Sequence, residues 1–182
     1  MSWNAEDIII TGFMGTGKTD TGKKLADKLC RTFVDTDAVV EQFAGKTIAS
    51  IFATEGEESF RLWELEVIEG LANYARGSLV VATGGGAVLR ERNRHLLRQR
   101  GFIVLLTASV EEIFKRVGHT DRPLLQQGEP QKKIEELLNR RAAIYNEFAD
   151  FTIHTDGKPP EDVAREICEL LENKGIRAKE NK

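Results

Sequence analysis

Cysteine is nearly missing from this 182-residue chain: only Cys30 and Cys168 occur. Two thiols, each flanked by helical-looking sequence, cannot build a disulfide scaffold or a thiolate zinc site. Long apolar runs are missing too. The longest purely aliphatic or aromatic stretch is five residues, Phe102 to Leu106, against about 20 for a helix that crosses a bilayer. Met1 to Asp7 is polar and carries two acids, so no secretory leader and no membrane association are expected, and a cytoplasmic location is. Positive charge is not in excess. Lys and Arg number 26 against 29 Asp and Glu, a net charge of −3, which argues against nucleic acid as a partner because phosphate contacts need a basic surface. No internal repeat or low-complexity tract occurs, and His95, His119 and His154 share no metal-ligand spacing. What remains is 41% hydrophobic and 30% charged, the make-up of one globular domain able to bury a core.

Strand-like and helix-like segments alternate. Short apolar runs at Asp7 to Thr11, Thr32 to Asp35, Ser78 to Thr83, Phe102 to Leu106 and Phe151 to Ile153 read as five strands. Helical periodicity covers Gly17 to Cys30, Asp37 to Phe43, Ile48 to Thr54, Glu57 to Tyr74, Arg90 to Arg100, Ser109 to Val117, Gln131 to Phe148 and Pro160 to Glu172. Continuous apolar strands between helices predict a parallel five-stranded sheet covered on both faces, a three-layer α/β/α domain. Periodicity does not give the strand order. Two segments break the alternation: extra helices between the second and third strands, about residues 36–75, and a polar stretch with two glycines and two prolines at 118–130. A loop of that length in a compact domain is usually functional, often a lid. The tail, about 174–182, reads as a solvated end. The basic run Arg90, Arg92, Arg94, Arg98 and Arg100 reads as a solvated helix face, and Cys30, at a helix end, as an ordinary buried thiol.

One motif carries chemistry by itself. Gly12-Phe13-Met14-Gly15-Thr16-Gly17-Lys18-Thr19 is G-x-x-x-x-G-K-T, between a strand and a helix. Glycines let the backbone curl so that successive N–H groups face phosphate oxygens, and the helix N-terminus adds its positive end. Gly15, Thr16, Gly17, Lys18, Thr19 and Asp20 are therefore the candidate nucleotide-phosphate cradle. Lys18 serves the β- and γ-phosphates and Thr19 a Mg²⁺ ion. A dinucleotide fingerprint fails on spacing: Gly17 is followed by Lys-Thr-Asp, and Leu89 stands where Gly84-Gly85-Gly86 would need its last glycine.

A P-loop does not separate a kinase from a GTPase, but the guanine-reading N-K-x-D string is absent. A small-molecule kinase needs acceptor-binding charges, a group to orient the acceptor hydroxyl and a closing lid. Asp35 and Asp37 end the second strand at the carboxyl edge, where ligands of open α/β sheets bind. Two apart on a strand, both carboxylates can face the cleft; a helix N-cap is the other reading of Asp37. Arg61, three residues before Glu64, reads on its own as a surface ion pair. Gly84, Gly85 and Gly86 permit close backbone approach at the same edge. Arg122 sits in the lid segment, and Arg141 lies one helical turn before Tyr145. Read this way, the residues admit a small-molecule kinase, a gluconate kinase among them, or a non-catalytic nucleotide-binding protein.

Taken in order, Gly-Phe-Met-Gly-Thr-Gly-Lys-Thr, Phe-Val-Asp-Thr-Asp, Gly-Glu-Glu-Ser-Phe-Arg-Leu-Trp-Glu, Thr-Gly-Gly-Gly-Ala-Val, Arg-Pro-Leu-Leu and Arg-Ala-Ala-Ile-Tyr resemble the shikimate kinase family. The resemblance runs from about Ile8 to Glu172. It implies a nucleoside-monophosphate-kinase-like P-loop fold, with 36–75 as the substrate-binding subdomain and 118–130 as the lid. It implies ATP as co-substrate, Mg²⁺ as cofactor and shikimate as acceptor, in a chain working as a monomer. By the same resemblance Lys18, Asp37 and Arg122 are catalytic, Asp35 joins Thr19 on the metal side, and Arg61 and Arg141 grip the acceptor carboxylate. Asp37, Gly84, Gly85 and Gly86 border the acceptor. Arg116 and Pro159 flank adenine, and Phe52, Phe60 and Glu64 line or brace the acceptor subsite.

Overall fold

The computed structural model describes residues 6–117 and 129–174. Strands β1 (Asp7–Gly12), β2 (Thr32–Asp35), β3 (Leu79–Ala82), β4 (Gly101–Thr107) and β5 (Phe151–His154) form one sheet in the order β2-β3-β1-β4-β5. Every pairing is parallel, with Ile9 aligned to Val81 on one side and Ile103 on the other. Eight α-helices complete the described residues: α1 (Lys18–Leu29), α2 (Thr36–Ala44), α3 (Ile48–Thr54), α4 (Gly56–Gly70), α5 (Glu91–Arg100), α6 (Val110–Val117), α7 (Pro130–Phe148) and α8 (Pro160–Asn173).

The layers follow from strand alternation. Ile8 and Ile10 pack with Leu25 and Leu29 of α1 and with Ile167 and Leu171 of α8. Ile9, between them, packs on the opposite face with Ile68, Leu97, Ile113 and Phe148 of α4, α5, α6 and α7. A third cluster, Val40, Ile51, Phe60 and Val67, gives the helices between β2 and β3 a small core of their own. The three-layer parallel architecture expected from the sequence is the one found. β1, buried along its whole length, is central, so the loop that follows it opens at the middle of the sheet's carboxyl edge. Among the described residues no helix is long and apolar enough to cross a membrane.

Several local readings change. The expected helix Glu57 to Tyr74 ends at Gly70 and tightens into a 3₁₀ turn over Leu71–Asn73; glycine is a weak helix former, and such turns are common at helix ends. Cys30 is not buried. It caps α1 in the left-handed region (φ 51°) with its side chain exposed. The basic run at α5 is a solvated face only in part: Arg92 and Arg98 are exposed, Arg90 and Arg94 half-buried. Arg90 pairs with Glu58, Arg92 with Glu69 and Arg98 with Asp150, while Arg94 donates to the carbonyls of Val88 and Leu89. Arg100 is buried, its Nε 2.6 Å from Oδ2 of the fully buried Asp7. Asp7 of β1 draws Arg100 inward, while acids of α4 and of the turn before β5 hold Arg90, Arg92 and Arg98 at the surface. Of the expected lid only Glu129 and Pro130 are described, Pro130 opening α7; Arg122 and His119 lie outside the described residues, as does the tail beyond Lys174.

Candidate active site

The P-loop curls through two left-handed glycines, Gly15 (φ 76°) and Gly17 (φ 87°). A side chain at either would be strained. Gly15 is also pressed against α6, where a Cβ would stand 2.8 Å from Val117 Cγ1. Gly17 precedes α1 with no side-chain cap, which leaves the first N–H groups of the helix for an anion. Thr16 Oγ1 and Lys18 Nζ both donate to the Phe13 carbonyl, at 2.8 and 2.7 Å. Those two bonds hold the loop's shape and keep the ammonium over it.

Thr19 and Asp35, the two residues expected on the metal side, meet directly: Thr19 Oγ1 donates to Asp35 Oδ2 at 2.7 Å. The other oxygen of Asp35 accepts from the backbone N–H groups of Asp37 (3.0 Å) and Ala38 (3.3 Å). The N-cap of α2 is therefore Asp35, which removes the cap reading of Asp37. The strand-alternation argument for Asp37 also gives way, since α2 already begins at Thr36. Asp37 still lines the same cleft, of about 320 Å³, as Lys18, Thr19, Asp20, Asp35 and Gly85. No cluster of three or more His, Cys, Asp or Glu forms among the described residues. One hydroxyl and one or two carboxylates suit Mg²⁺, which prefers oxygen and keeps waters and substrate phosphates as its remaining ligands.

Beyond the cleft lies a charged, water-poor wall. Arg61 is 8% exposed. It donates to Glu64 Oε1 and Oε2 at 3.2 and 3.0 Å and, through Nη2, to Glu57 at 2.9 Å. The isolated reading of Arg61 as a surface pair fails on this burial. Glu64 is fully buried. Burial pushes its carboxyl up to about 7; Arg61 opposes the rise, Asp37 adds to it and Arg90 opposes it. The glycine run fits around these groups. A Cβ on Gly84 would lie 2.4 Å from Asp37 Oδ1 and 2.7 Å from Glu64 Oε1, and one on Gly86 2.4 Å from Arg61 Nη2. Gly84 N–H donates to Thr36 Oγ1 at 2.9 Å, which ties the run to the start of α2. The rings of Phe52 and Phe60 pack 5.1 Å apart at a tilt of 43°, with Arg61 5.1 Å over the Phe60 ring. The second arginine, Arg141, is 7% exposed and sits 5.6 Å over the ring of Phe13, inside the P-loop.

On the nucleotide side Arg116 donates to Gly15 O (3.1 Å), Thr155 Oγ1 (3.1 Å) and Thr155 O (2.9 Å), and pairs with Glu112. It borders both the phosphate cleft and a second hollow of about 190 Å³, which Asp20 also lines. Pro160 lines that hollow, while Pro159 stands just before α8 as its N-cap residue. Two residues had no role assigned from the residues alone: Thr36, which holds Gly84, and Phe13, which supports Arg141. Neither carries a local signal beyond its place in the motif.

A parallel sheet with a P-loop at its centre, carboxylates at the end of β2 and the start of α2, and two buried arginines beyond them defines a P-loop kinase of small molecules. The comparisons narrow that class. The shikimate kinase family model matches residues 14–172. Shikimate kinase of Symbiobacterium thermophilum is 45% identical over 174 residues, 94% of this chain and 99% of that protein. The structure of shikimate kinase from Acinetobacter baumannii in complex with shikimate superposes with a TM-score of 0.90 at 39% identity, covering 96% of this chain and 97% of that one. A gluconokinase from Sinorhizobium meliloti reaches a TM-score of 0.54 at 18% identity, covering 94% and 96%, a likeness of fold alone. The chain belongs to the shikimate kinase family.

Proposed function

We propose that the protein transfers the γ-phosphoryl group of ATP to a hydroxyl of shikimate, giving ADP and shikimate 3-phosphate. The observation that carries this is the juxtaposition of Asp37, Glu64 and Arg61 against Gly84 and Gly86, beside the P-loop cleft. It is a site built for a hydroxylated carboxylate within reach of a triphosphate. The acceptor oxygen attacks the γ-phosphorus as the bond to the β–γ bridging oxygen breaks. Asp37 orients the hydroxyl and takes its proton. Lys18 and the α1 N-terminus hold the phosphates. Arg61, braced by two glutamates, and Arg141 grip the acceptor carboxylate, while Arg116 and the Pro159-Pro160 pair flank adenine. Thr19 and Asp35 would hold Mg²⁺, which neutralises phosphate charge when bound. In-line positioning and charge neutralisation do most of the work, because phosphoryl transfer leaves little covalent chemistry to the protein. Residues 36–75 serve as the acceptor-binding subdomain. The 118–130 segment serves as a lid that excludes water, with Arg122 bringing charge to the transferring phosphate. The same reading takes the protein as a cytoplasmic monomer. A coupled assay of ADP release tests the reading: turnover with shikimate and none with gluconate is expected. Turnover with gluconate alone, or with neither, overturns it.

A further inference from the structure

Tyr145 belongs to no step of that mechanism, yet it lies at the junction of three of its parts. Its ring is buried, 4% exposed, on the inner face of α7. Its hydroxyl donates to the Gly85 carbonyl at 2.5 Å, joining residues sixty apart in the chain. Gly85 in turn rests on the P-loop: a Cβ there would stand 3.3 Å from Met14 N and 3.5 Å from Gly12 O. One turn before Tyr145 on the same helix is Arg141, whose guanidinium covers the P-loop residue Phe13. Burial raises the phenol's pKa, and the nearby Arg141 charge opposes the rise. The phenol thus stays protonated, a donor toward Gly85.

We propose that Tyr145 is a positioning residue for the acceptor: its hydroxyl ties α7, which carries Arg141 one turn earlier, to the Gly84-Gly85-Gly86 run, so that the carboxylate grip and the backbone bordering the acceptor are set together. The proposal rests on the kinase reading above and deepens it. Phenylalanine at 145 fills the same volume and cannot make that bond. The α7 turn that carries Arg141 then loses its tie to the glycine run, and the Gly85 carbonyl loses its buried donor.

The test is steady-state ADP release by the full chain, wild type against Tyr145→Phe, Arg141→Ala and the double variant, with melting temperatures alongside. Tyr145→Phe is expected to raise KM for shikimate about five- to tenfold, the worth of one neutral hydrogen bond, with kcat and KM for ATP within about twofold. In the Arg141→Ala background the same substitution should change KM by less than about twofold, since the two side chains act as one unit. A lowered melting temperature with unchanged KM for shikimate makes the bond merely structural and overturns the proposal. So do equal rises in both KM values, or additive effects. A wild-type chain with no shikimate turnover overturns both readings; a normal wild type with a kinetically silent Tyr145→Phe overturns only this one. Should Tyr145→Phe fail to fold, the chain's other tyrosine, Tyr74, is changed to Phe and the protein is grown on 3-fluorotyrosine. The single fluorine resonance should move on saturation with shikimate. A resonance that stays in place overturns the proposal.

Discussion

Glu64→Gln should change how the stability of the fold depends on pH. The Glu64 carboxyl is fully buried, and burial, opposed by Arg61, added to by Asp37 and opposed by Arg90, lifts it from its ordinary 4.5 to about 7. Between those values the folded chain holds a proton that the unfolded chain has released. The unfolding free energy therefore falls as pH rises through about 4.5 to 7 and levels off above 7. Two and a half pH units at 1.36 kcal/mol each come to about 3 kcal/mol. Glutamine resembles the protonated carboxyl in shape and charge and does not titrate. The variant should thus exceed wild type by under about 1 kcal/mol near pH 5 and by up to about 3 kcal/mol at pH 8, roughly 6–12 °C in melting temperature for a chain of this size. Urea unfolding at half-unit steps from pH 5 to 8.5 measures this directly. The other titrating groups are common to both proteins and cancel in the difference. Parallel curves for the two proteins would refute the reasoning, because they would mean that Glu64 is already ionised throughout the range. Its ion pair with Arg61 would then outweigh the burial that now prevails.

Lys18→Ala should cut kcat by more than about 100-fold with little change in urea midpoint, because the ammonium serves phosphate charge and not packing; near-normal turnover would remove the P-loop assignment. Asp37→Asn keeps the shape and removes the anion, so kcat should drop by about 100-fold or more while KM for shikimate moves far less; an unchanged kcat would leave Asp37 a binding group only. In Gly86→Ala the new methyl would meet the end of the Arg61 side chain at 2.4 Å and push it from its place, so KM for shikimate should rise about tenfold, the loss expected for a weakened charged hydrogen bond, with KM for ATP preserved. Equal effects on both substrates would show that the glycine run, and not Arg61, had moved.

What could be read in the sequence divides along physical lines. Strand and helix identity followed from apolar spacing, because alternation along Ile8-Ile9-Ile10 is set by which face each residue buries. The order β2-β3-β1-β4-β5 was not legible. It depends on where each crossover lands, and the strands are too similar in composition to mark their neighbours. The solvated-face reading of the α5 arginines holds for Arg92 and Arg98 and, for a related reason, fails for Arg100. Five basic residues in one helix look solvated until the partners are placed, and those partners, Glu58, Glu69, Asp150 and Asp7, come from three other parts of the chain. Burial of an arginine is a property of the acid that meets it.

The same division runs through the site. The P-loop is a local device, and its glycine spacing states its backbone geometry outright. The acceptor wall is not local. Arg61 and Glu64 stand three apart on α4, the spacing of countless exposed pairs, and nothing in that helix says that the pair faces inward. The sign that it does lies elsewhere, in the run Gly84-Gly85-Gly86. Three successive glycines at a strand end read as room for a ligand. Two of them are instead spaces already filled by protein, Gly84 by the carboxylates of Asp37 and Glu64 and Gly86 by the Arg61 guanidinium. The room kept free of side chains is what lets charged groups from α2 and α4 reach the sheet edge beside the P-loop. A glycine run and a distant ion pair, each ambiguous alone, are thus two halves of one packing solution, and only the tertiary fold joins them.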